Sequence, residues 1–140
     1  MSASTTETIQ EFFTRFGAGD LERLLDLFAE EVDWDVPGAA SVPWTGRRSN
    51  REELRAFFVA AAEEVEATEE FAVERIIVEG GAGVAVGRFT HVIKRTGKRF
   101  NSPFALHIEA EDGLIRLYHM HEDSHGAAEA FAAQGPTGRR

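Results

Sequence analysis

Three turn signals divide the second half of this chain into four segments of strand-like sequence. The turns are Gly80-Gly81-Ala82-Gly83, Thr96-Gly97 and Glu111-Asp112-Gly113. They separate runs that we predict as strands over 71–79, 84–95, 98–109 and 114–123. Connections this short join antiparallel neighbours, because parallel strands need a long crossover. The second half is therefore predicted to be an antiparallel meander.

The first half carries helix-start signals instead. Ser4 and Glu7 form a capping box, in which the two side chains each satisfy a free backbone N–H. Asp20 caps a second helix, and a third begins at Ser49 or Asn50. Apolar residues recur at helical spacing after each start. We therefore predict three helices ahead of the meander.

A short strand and two terminal segments complete the predicted domain. The sequence VDWDV at 32–36 alternates apolar and acidic residues, as a half-buried strand does, and 37–48 is predicted as a loop. A short helix is expected at 127–133, followed by a frayed tail over 134–140. Helices followed by strands predict one α+β domain over 1–133, with the helices covering one face of a curved sheet.

The turn at Thr96-Gly97 predicts which face of the sheet is buried. A two-residue hairpin loop fixes the register of the strands on either side. The facing pairs would be Ile93 with Phe100, His91 with Ser102, Phe89 with Phe104 and Gly87 with Leu106. This side is strongly apolar, whereas the other carries charged and polar residues. We therefore predict it to be the inner face.

The last hairpin extends this face. A two-residue loop, either Glu111-Asp112 or Asp112-Gly113, places odd-numbered residues of the last strand inside, and a three-residue loop reverses them. The two-residue loop gives an inner face that is apolar except for His91, Ser102, His119, His121 and Asp123. Buried polar groups cost a few kcal/mol unless they are paired. Several of them gathered on an apolar wall are typical of a small-molecule site.

Composition excludes several classes of function. The formal net charge of −9 disfavours nucleic acids and anionic membranes, which attract basic surfaces. The chain has no cysteine, which excludes disulfides and thiolate sites. It has no run of about 20 apolar residues and no signal-peptide pattern. We expect a cytoplasmic protein with no nucleic-acid or membrane partner.

Two stretches of the sequence resemble a known superfamily. They are FFTRFGAGDLERLLDLFAEEVDWDVPG in the first half and DGLIRLYHMHED near the end. Both are similar to the nuclear-transport-factor-two-like superfamily, and most of all to its SnoaL-like and ketosteroid-isomerase-related branches. The resemblance covers about residues 5–133. It implies a cone-shaped fold, in which a strongly curved mixed or antiparallel sheet wraps around the N-terminal helices.

The catalytic residues of ketosteroid isomerases do not carry over. The Tyr of their first helix corresponds to Phe12 here, and their general-base Asp corresponds to Val36. Their hydrogen-bonding acid falls near Ala105 or Leu106. Steroid isomerisation by that mechanism is therefore not expected.

Other branches of the superfamily suggest different catalytic residues. SnoaL-like polyketide cyclases use an acid–base Asp that is similar in position to Asp123, with a partner His that corresponds to His91 or His107. Scytalone-dehydratase-like members use two pocket histidines, which His91 with His119 or His121 would match. Asp123 has an alternative role as a helix cap, and His91 has one as a core residue bonded to Ser102. The histidines and Asp123 also resemble a metal site, but the superfamily works mostly without metal, so we predict no metal and no cofactor.

These observations support two hypotheses for function. The first is a cofactor-independent cyclase, isomerase or dehydratase for a small apolar molecule, and the alternative is a non-catalytic ligand-binding or dimerisation module. The catalytic candidates are Asp123, His119, His121 and His91. The candidate binding residues are Trp34, Trp44, Ser102, Phe104 and Phe89. A homodimer is expected through the outer face of the sheet, where Tyr118, Met120 and Val86 are predicted to lie.

Overall fold

The computed structural model describes residues 4–133, in which helices precede and flank a single sheet. The helices are α1 (Thr5–Ala18), α2 (Leu21–Leu25), α3 (Arg51–Glu64) and α4 (Ser124–Phe131). The strands are β1 (Phe28–Val36), β2 (Gly46–Asn50), β3 (Val65–Glu79), β4 (Ala82–Ile93), β5 (Arg99–Glu111) and β6 (Leu114–Glu122). The predicted tail at 134–140 lies outside the described residues. Within 4–133, no helix is both long and apolar enough to cross a bilayer.

The helix caps are those that the sequence predicts. Ser4 and Glu7 form both halves of the capping box of α1. The Asp20 side chain accepts a hydrogen bond at the start of α2, and Asn50 is the residue that caps α3. The start of α4 is capped by Asp123, whose Oδ1 accepts a hydrogen bond from Gly126 N at 2.9 Å.

The described sheet is mixed, with strand order β2-β1-β6-β5-β4-β3. Only β1 and β6 pair in parallel, and every other neighbouring pair is antiparallel. The sheet is curved and does not close, which confirms the predicted α+β cone. Gly87 allows β4 to approach β3 closely, because a Cβ atom at this position would lie 1.9 Å from the carbonyl oxygen of Ala72 on β3.

Strand β2 corrects the prediction of a loop over 37–48. Its sequence, GRRSN, has no apolar alternation because the strand lies at the sheet edge and most of its side chains are exposed. It pairs with the end of β1, where Val36 lies opposite Gly46. The chain between these two residues leaves the sheet and returns, and it brings Trp44 to the end of β6, where the Trp44 side chain contacts Glu122.

The β4–β5 hairpin has a four-residue loop rather than the predicted two-residue loop. Ile93 N donates to Lys98 O at 2.8 Å, and Lys94 N is turned away to Glu64 O at 2.8 Å. Each predicted partner is therefore displaced by two positions: His91 lies opposite Phe100, Phe89 opposite Ser102 and Gly87 opposite Phe104. A shift of two residues preserves the side on which every side chain lies. The inner-face prediction for these two strands is confirmed although the register is wrong.

The β5–β6 hairpin begins as predicted and then changes face. Asp112 and Gly113 form a two-residue loop with φ of 55° and 77°, as a type I′ turn requires. Ile115 then lies opposite Ala110, but Leu117 lies opposite Glu109, so Arg116 is an extra residue in β6. Such a bulge reverses the side on which all later residues lie.

The bulge overturns the predicted inner face of β6 beyond Ile115. Leu117, His119 and His121 lie on the outer face, and Asp123 lies beyond the strand as an exposed helix cap. The inner face instead carries Tyr118, Met120 and Glu122.

Candidate active site

A cavity of about 420 Å³ lies between the helices and the inner face of the sheet. Nine aromatic side chains line it: Phe12, Phe13, Phe16, Trp44, Phe57, Phe58, Phe71, Phe89 and Tyr118. Polar side chains also reach it, namely Glu66, Thr68, His91 and Glu122. A largely apolar cavity with a few polar groups is the usual form of a small-molecule site.

Glu122 is the carboxyl group of this cavity. It is the last residue of β6, and Trp44 Nε1 donates a hydrogen bond to its Oε2 at 2.8 Å. Burial raises the pKa of Glu122 to about 7, the Trp44 bond lowers it in part, and the charge of Asp123 raises it. Among residues 4–133, no side chain donates to Oε1. The carboxyl group therefore keeps one oxygen available at a pKa where both protonation states are populated near neutral pH.

His91 is a neutral imidazole in the same cavity. Burial lowers its pKa to about 4. Its Nδ1 lies 2.9 Å from Thr68 Oγ1, and its ring stacks on Phe89 with centroids 4.4 Å apart. The predicted alternative partner, Ser102, instead accepts a hydrogen bond from Asp123 N at 2.8 Å. His91 thus meets the cavity with Nδ1 already engaged.

Tyr118 also lines the cavity and is a candidate hydroxyl donor there. Its ring stacks on Trp34 at 3.8 Å between centroids and lies 5.6 Å from the ring of Phe12. Burial, and then the charge of Glu122, raise the pKa of Tyr118, so its hydroxyl group stays protonated as a donor. Tyr118 lies on the same face of β6 as Glu122, four residues earlier in the strand.

The structure does not bring three of the four predicted catalytic residues to the cavity. His119 Nε2 lies 2.9 Å from Asp33 Oδ1 on the outer face, and this bond lowers the pKa of Asp33. His121 and Asp123 are exposed. Of the predicted set only His91 lines the cavity, because the extra residue Arg116 turned the others away.

The predicted binding residues divide in a similar way. Trp44 and Phe89 line the cavity. Trp34 is fully buried beneath Tyr118 and forms core rather than wall, and its Nε1 has no hydrogen-bond partner among the described residues. Ser102 and Phe104 are on the inner face, as predicted, but are packed within the core.

Sequence reasoning missed Glu122, Tyr118 and Thr68. One signal pointed to the first two. From Tyr118 onward, the apolar side chains Tyr118 and Met120 alternate with His119 and His121. That alternation favours even-numbered residues inside, in conflict with Ile115, and such a change of phase within one strand is what a bulge produces.

The histidines and carboxylates do not gather into a metal site. Within residues 4–133, no group of three or more His, Asp or Glu side chains is placed to hold a metal ion. The set considered from sequence is split, with His91 inside the sheet and the other members outside it.

The profile of the SnoaL-like domain family matches residues 9–118. The chain belongs to this family. No curated protein matches the sequence. Solved structures share the fold: an NTF2-like protein from Burkholderia xenovorans LB400 is 22% identical, covering 94% of this chain and 100% of that one with a TM-score of 0.82.

Two further solved structures share the fold and differ in what is described for them. TerC, co-crystallized with polyporic acid, is 17% identical, covering 92% of this chain and 98% of its own with a TM-score of 0.80. A candidate isomerase from Bacillus subtilis is 18% identical, covering 91% of each chain with a TM-score of 0.71. At these identities the likeness shows the fold alone.

Proposed function

We propose that this SnoaL-like protein is a cofactor-independent isomerase, cyclase or dehydratase that uses Glu122 as its general base on a small, mostly apolar carbonyl compound. The observation that carries the proposal is the state of that carboxyl group. It is buried in an aromatic cavity, one oxygen is held by Trp44, and its pKa is about 7. A general base works best when its pKa lies near the operating pH.

The first step transfers a proton from carbon to Glu122. The C–H bond next to the substrate carbonyl breaks, Oε1 of the ionised carboxylate takes the proton, and the electron pair moves onto the carbonyl oxygen to form an enolate. The protonated carboxyl group then returns the proton at another carbon in an isomerase, or to a leaving hydroxyl group in a dehydratase. In a cyclase, the enolate carbon attacks a second carbonyl group of the same molecule, the π electrons of that group move onto its oxygen, and the protonated carboxyl group returns its proton to the resulting alkoxide.

Tyr118 and His91 are the donors that would stabilise the enolate oxygen. Donors fixed in a water-poor site stabilise developing charge more strongly than water does. The raised pKa keeps the Tyr118 hydroxyl group protonated. The neutral His91 ring, held through Nδ1 by Thr68, can present Nε2–H when Thr68 Oγ1 is the donor of their shared bond.

Trp44 fixes the direction of the base. Its indole is held between the rings of Phe100 and Phe131, at centroid distances of 6.2 and 5.0 Å, and its carbonyl oxygen accepts from Arg48 at 3.3 Å. The Nε1 bond therefore restricts Glu122 to orientations that leave Oε1 free. Two structural relatives are in keeping with the proposal, since one is a candidate isomerase and one was crystallised with a small organic ligand.

Exchange of acidic C–H protons tests the proposal without knowledge of the natural substrate. A panel of cyclic and aryl ketones, including 2-tetralone, is incubated in D₂O and followed by NMR. Wild type is expected to accelerate exchange on at least one member, and Glu122→Gln to lower that rate by about 10²-fold or more. Glu66→Gln, which changes the exposed carboxyl group of the same cavity, is the matched control and should retain the rate.

Two results would reject catalysis by Glu122. One is unchanged exchange in Glu122→Gln. The other is no acceleration by wild type on any ketone, which together with measurable ligand binding would favour the non-catalytic binding module.

We also propose that the chain forms a homodimer through the outer face of the sheet. Tyr118 and Met120, which were expected there, line the cavity instead. Val84 and Val86 are half-buried on that face, and Ile77, opposite Val84, is 56% exposed. We expect the patch formed by Ile77, Val84 and Val86 to contact a second copy of the chain, because exposed apolar patches mark interaction surfaces.

A further inference from the structure

We propose that the cavity binds aromatic ammonium cations, with Glu122 as their counter-ion. The inference rests on the proposed function, because it assigns a ligand class to the same cavity and the same carboxyl oxygen. It does not require turnover, so the two can fail separately.

The charges around the cavity favour a cation. The carboxyl groups of Glu66 and Glu122 reach it, and in the described part of the chain no Lys or Arg side chain lines it. The Arg48 guanidinium lies 5.0 Å over the ring of Phe57 and donates to the Trp44 carbonyl oxygen, so it is engaged by two residues of the wall and is not itself a lining side chain. A ligand anion would meet two carboxyl groups and no cation, whereas an ammonium group would meet an available partner.

The walls favour the same ligand. Aromatic faces attract cations through the negative potential above the ring, most strongly where water is excluded. Trp44, Phe89 and Tyr118 line the cavity that Glu122 also lines, and the same rings give a flat apolar ligand body surfaces to pack against. The net charge of −9 also raises the local concentration of cations at the protein surface.

The free oxygen of Glu122 gives the ammonium group its position. Trp44 occupies Oε2, so an N–H donor would bind at Oε1. This is where the proposed substrate would place its acidic C–H. Ammonium ligands are therefore expected to compete with ketone substrates for one site.

Binding of a cation is expected to depend on pH through Glu122. The groups around it are Asp123 next along the chain, Tyr118 on the same strand, His91 on β4 and Glu66 on β3, with Arg48 bonded to the carbonyl oxygen of Trp44. His91 is neutral above about pH 5, since its pKa is about 4. Between pH 6 and pH 8 Glu122 passes from mostly protonated to mostly ionised, because its pKa is about 7. Cation binding should strengthen over that range and release a proton at pH 7.

Three probes that share one ring system test the inference by calorimetry: 2-(aminomethyl)naphthalene, 2-(hydroxymethyl)naphthalene and 2-naphthoate. At pH 8 the ammonium probe should bind at least about tenfold more tightly than the alcohol, and naphthoate most weakly. The advantage of the ammonium probe should shrink at pH 6 and disappear in Glu122→Gln. Glu109→Gln, which changes an exposed carboxyl group on the outer face of the sheet, should retain it, and circular dichroism verifies the fold of both variants.

Equal binding of the ammonium and alcohol probes to wild type at pH 8, or tighter binding of naphthoate, would overturn the inference. An unchanged preference in Glu122→Gln would overturn the assignment of the counter-ion. Ketone exchange measured on the same samples separates the two proposals. Ammonium preference without exchange rejects catalysis alone, and exchange without ammonium preference rejects the ligand class alone.

Discussion

Replacing Trp44 by Phe removes one hydrogen bond from Glu122 and retains most of the aromatic packing. The bond joins Trp44 Nε1 to Glu122 Oε2 at 2.8 Å, and it favours the ionised carboxylate. A hydrogen bond to a charged group contributes about 1.5–3 kcal/mol, and about 1.36 kcal/mol corresponds to one pKa unit. Loss of the bond should therefore raise the pKa of Glu122 by about 1–2 above its present value of about 7.

NMR titration of the ¹³C-labelled glutamate carboxyl groups measures this change directly. The Glu122 resonance is the one that is lost in Glu122→Gln. Trp34→Phe is the matched control, because Trp34 is fully buried but its Nε1 has no partner among residues 4–133. It should leave the pKa of Glu122 unchanged. The reasoning is refuted if the pKa stays near 7 in Trp44→Phe, or if Trp34→Phe moves it equally.

The remaining predictions concern stability and assembly. The pKa of Glu122 is about 7 in the folded state and 4.5 ordinarily, so ionisation of Glu122 lowers the free energy of unfolding as pH rises between these values. In chemical denaturation, Glu122→Gln should therefore be more stable than wild type at pH 8, by up to about 3 kcal/mol. At pH 4.5 this gain in stability should be absent. His91 affects stability in the opposite direction, because its pKa is lowered from 6.5 to about 4 and stability is lost as pH falls between these values. In the same assay, His91→Gln should reduce this loss of stability at low pH. Asp123→Ala should lower the free energy of unfolding by about 1 kcal/mol through loss of the α4 cap, without lowering ketone exchange; a large loss of exchange would show that Asp123 is catalytic. Ile77→Asp should convert a dimer to a monomer in size-exclusion chromatography with light scattering; a wild-type monomer would refute the dimer.

Local sequence signals predicted most of the fold because they act over a few residues. The capping box at Ser4 and the cap at Asp20 set the helix starts, and the Asp112-Gly113 turn set the start of the last hairpin. The inner face of β4 and β5 was also predictable, because an error of two residues in the register leaves every side chain on the same face of the sheet.

The candidate site was predicted less well because one inserted residue decides it. Arg116 carries no obvious bulge signal, yet it moves His119 and His121 outside and Glu122 inside. The end of the strand, His121-Glu122-Asp123, is polar throughout, so only the alternation of Tyr118 and Met120 with the histidines indicates which of the three residues is buried. Trp44, the partner of Glu122, is 78 residues away in sequence, so only the folded chain shows the bond between them.

The pH dependence of ketone exchange tests the role of Glu122 most directly. With Glu122 as the base, kcat/KM in wild type should rise with pH and level off with an apparent pKa of about 7. Glu122→Gln should lose both the rate and the inflection, and Glu66→Gln should keep both. A wild-type rate that does not change between pH 5.5 and 8.5, or an inflection that persists in Glu122→Gln, would contradict the assignment of Glu122 as the general base.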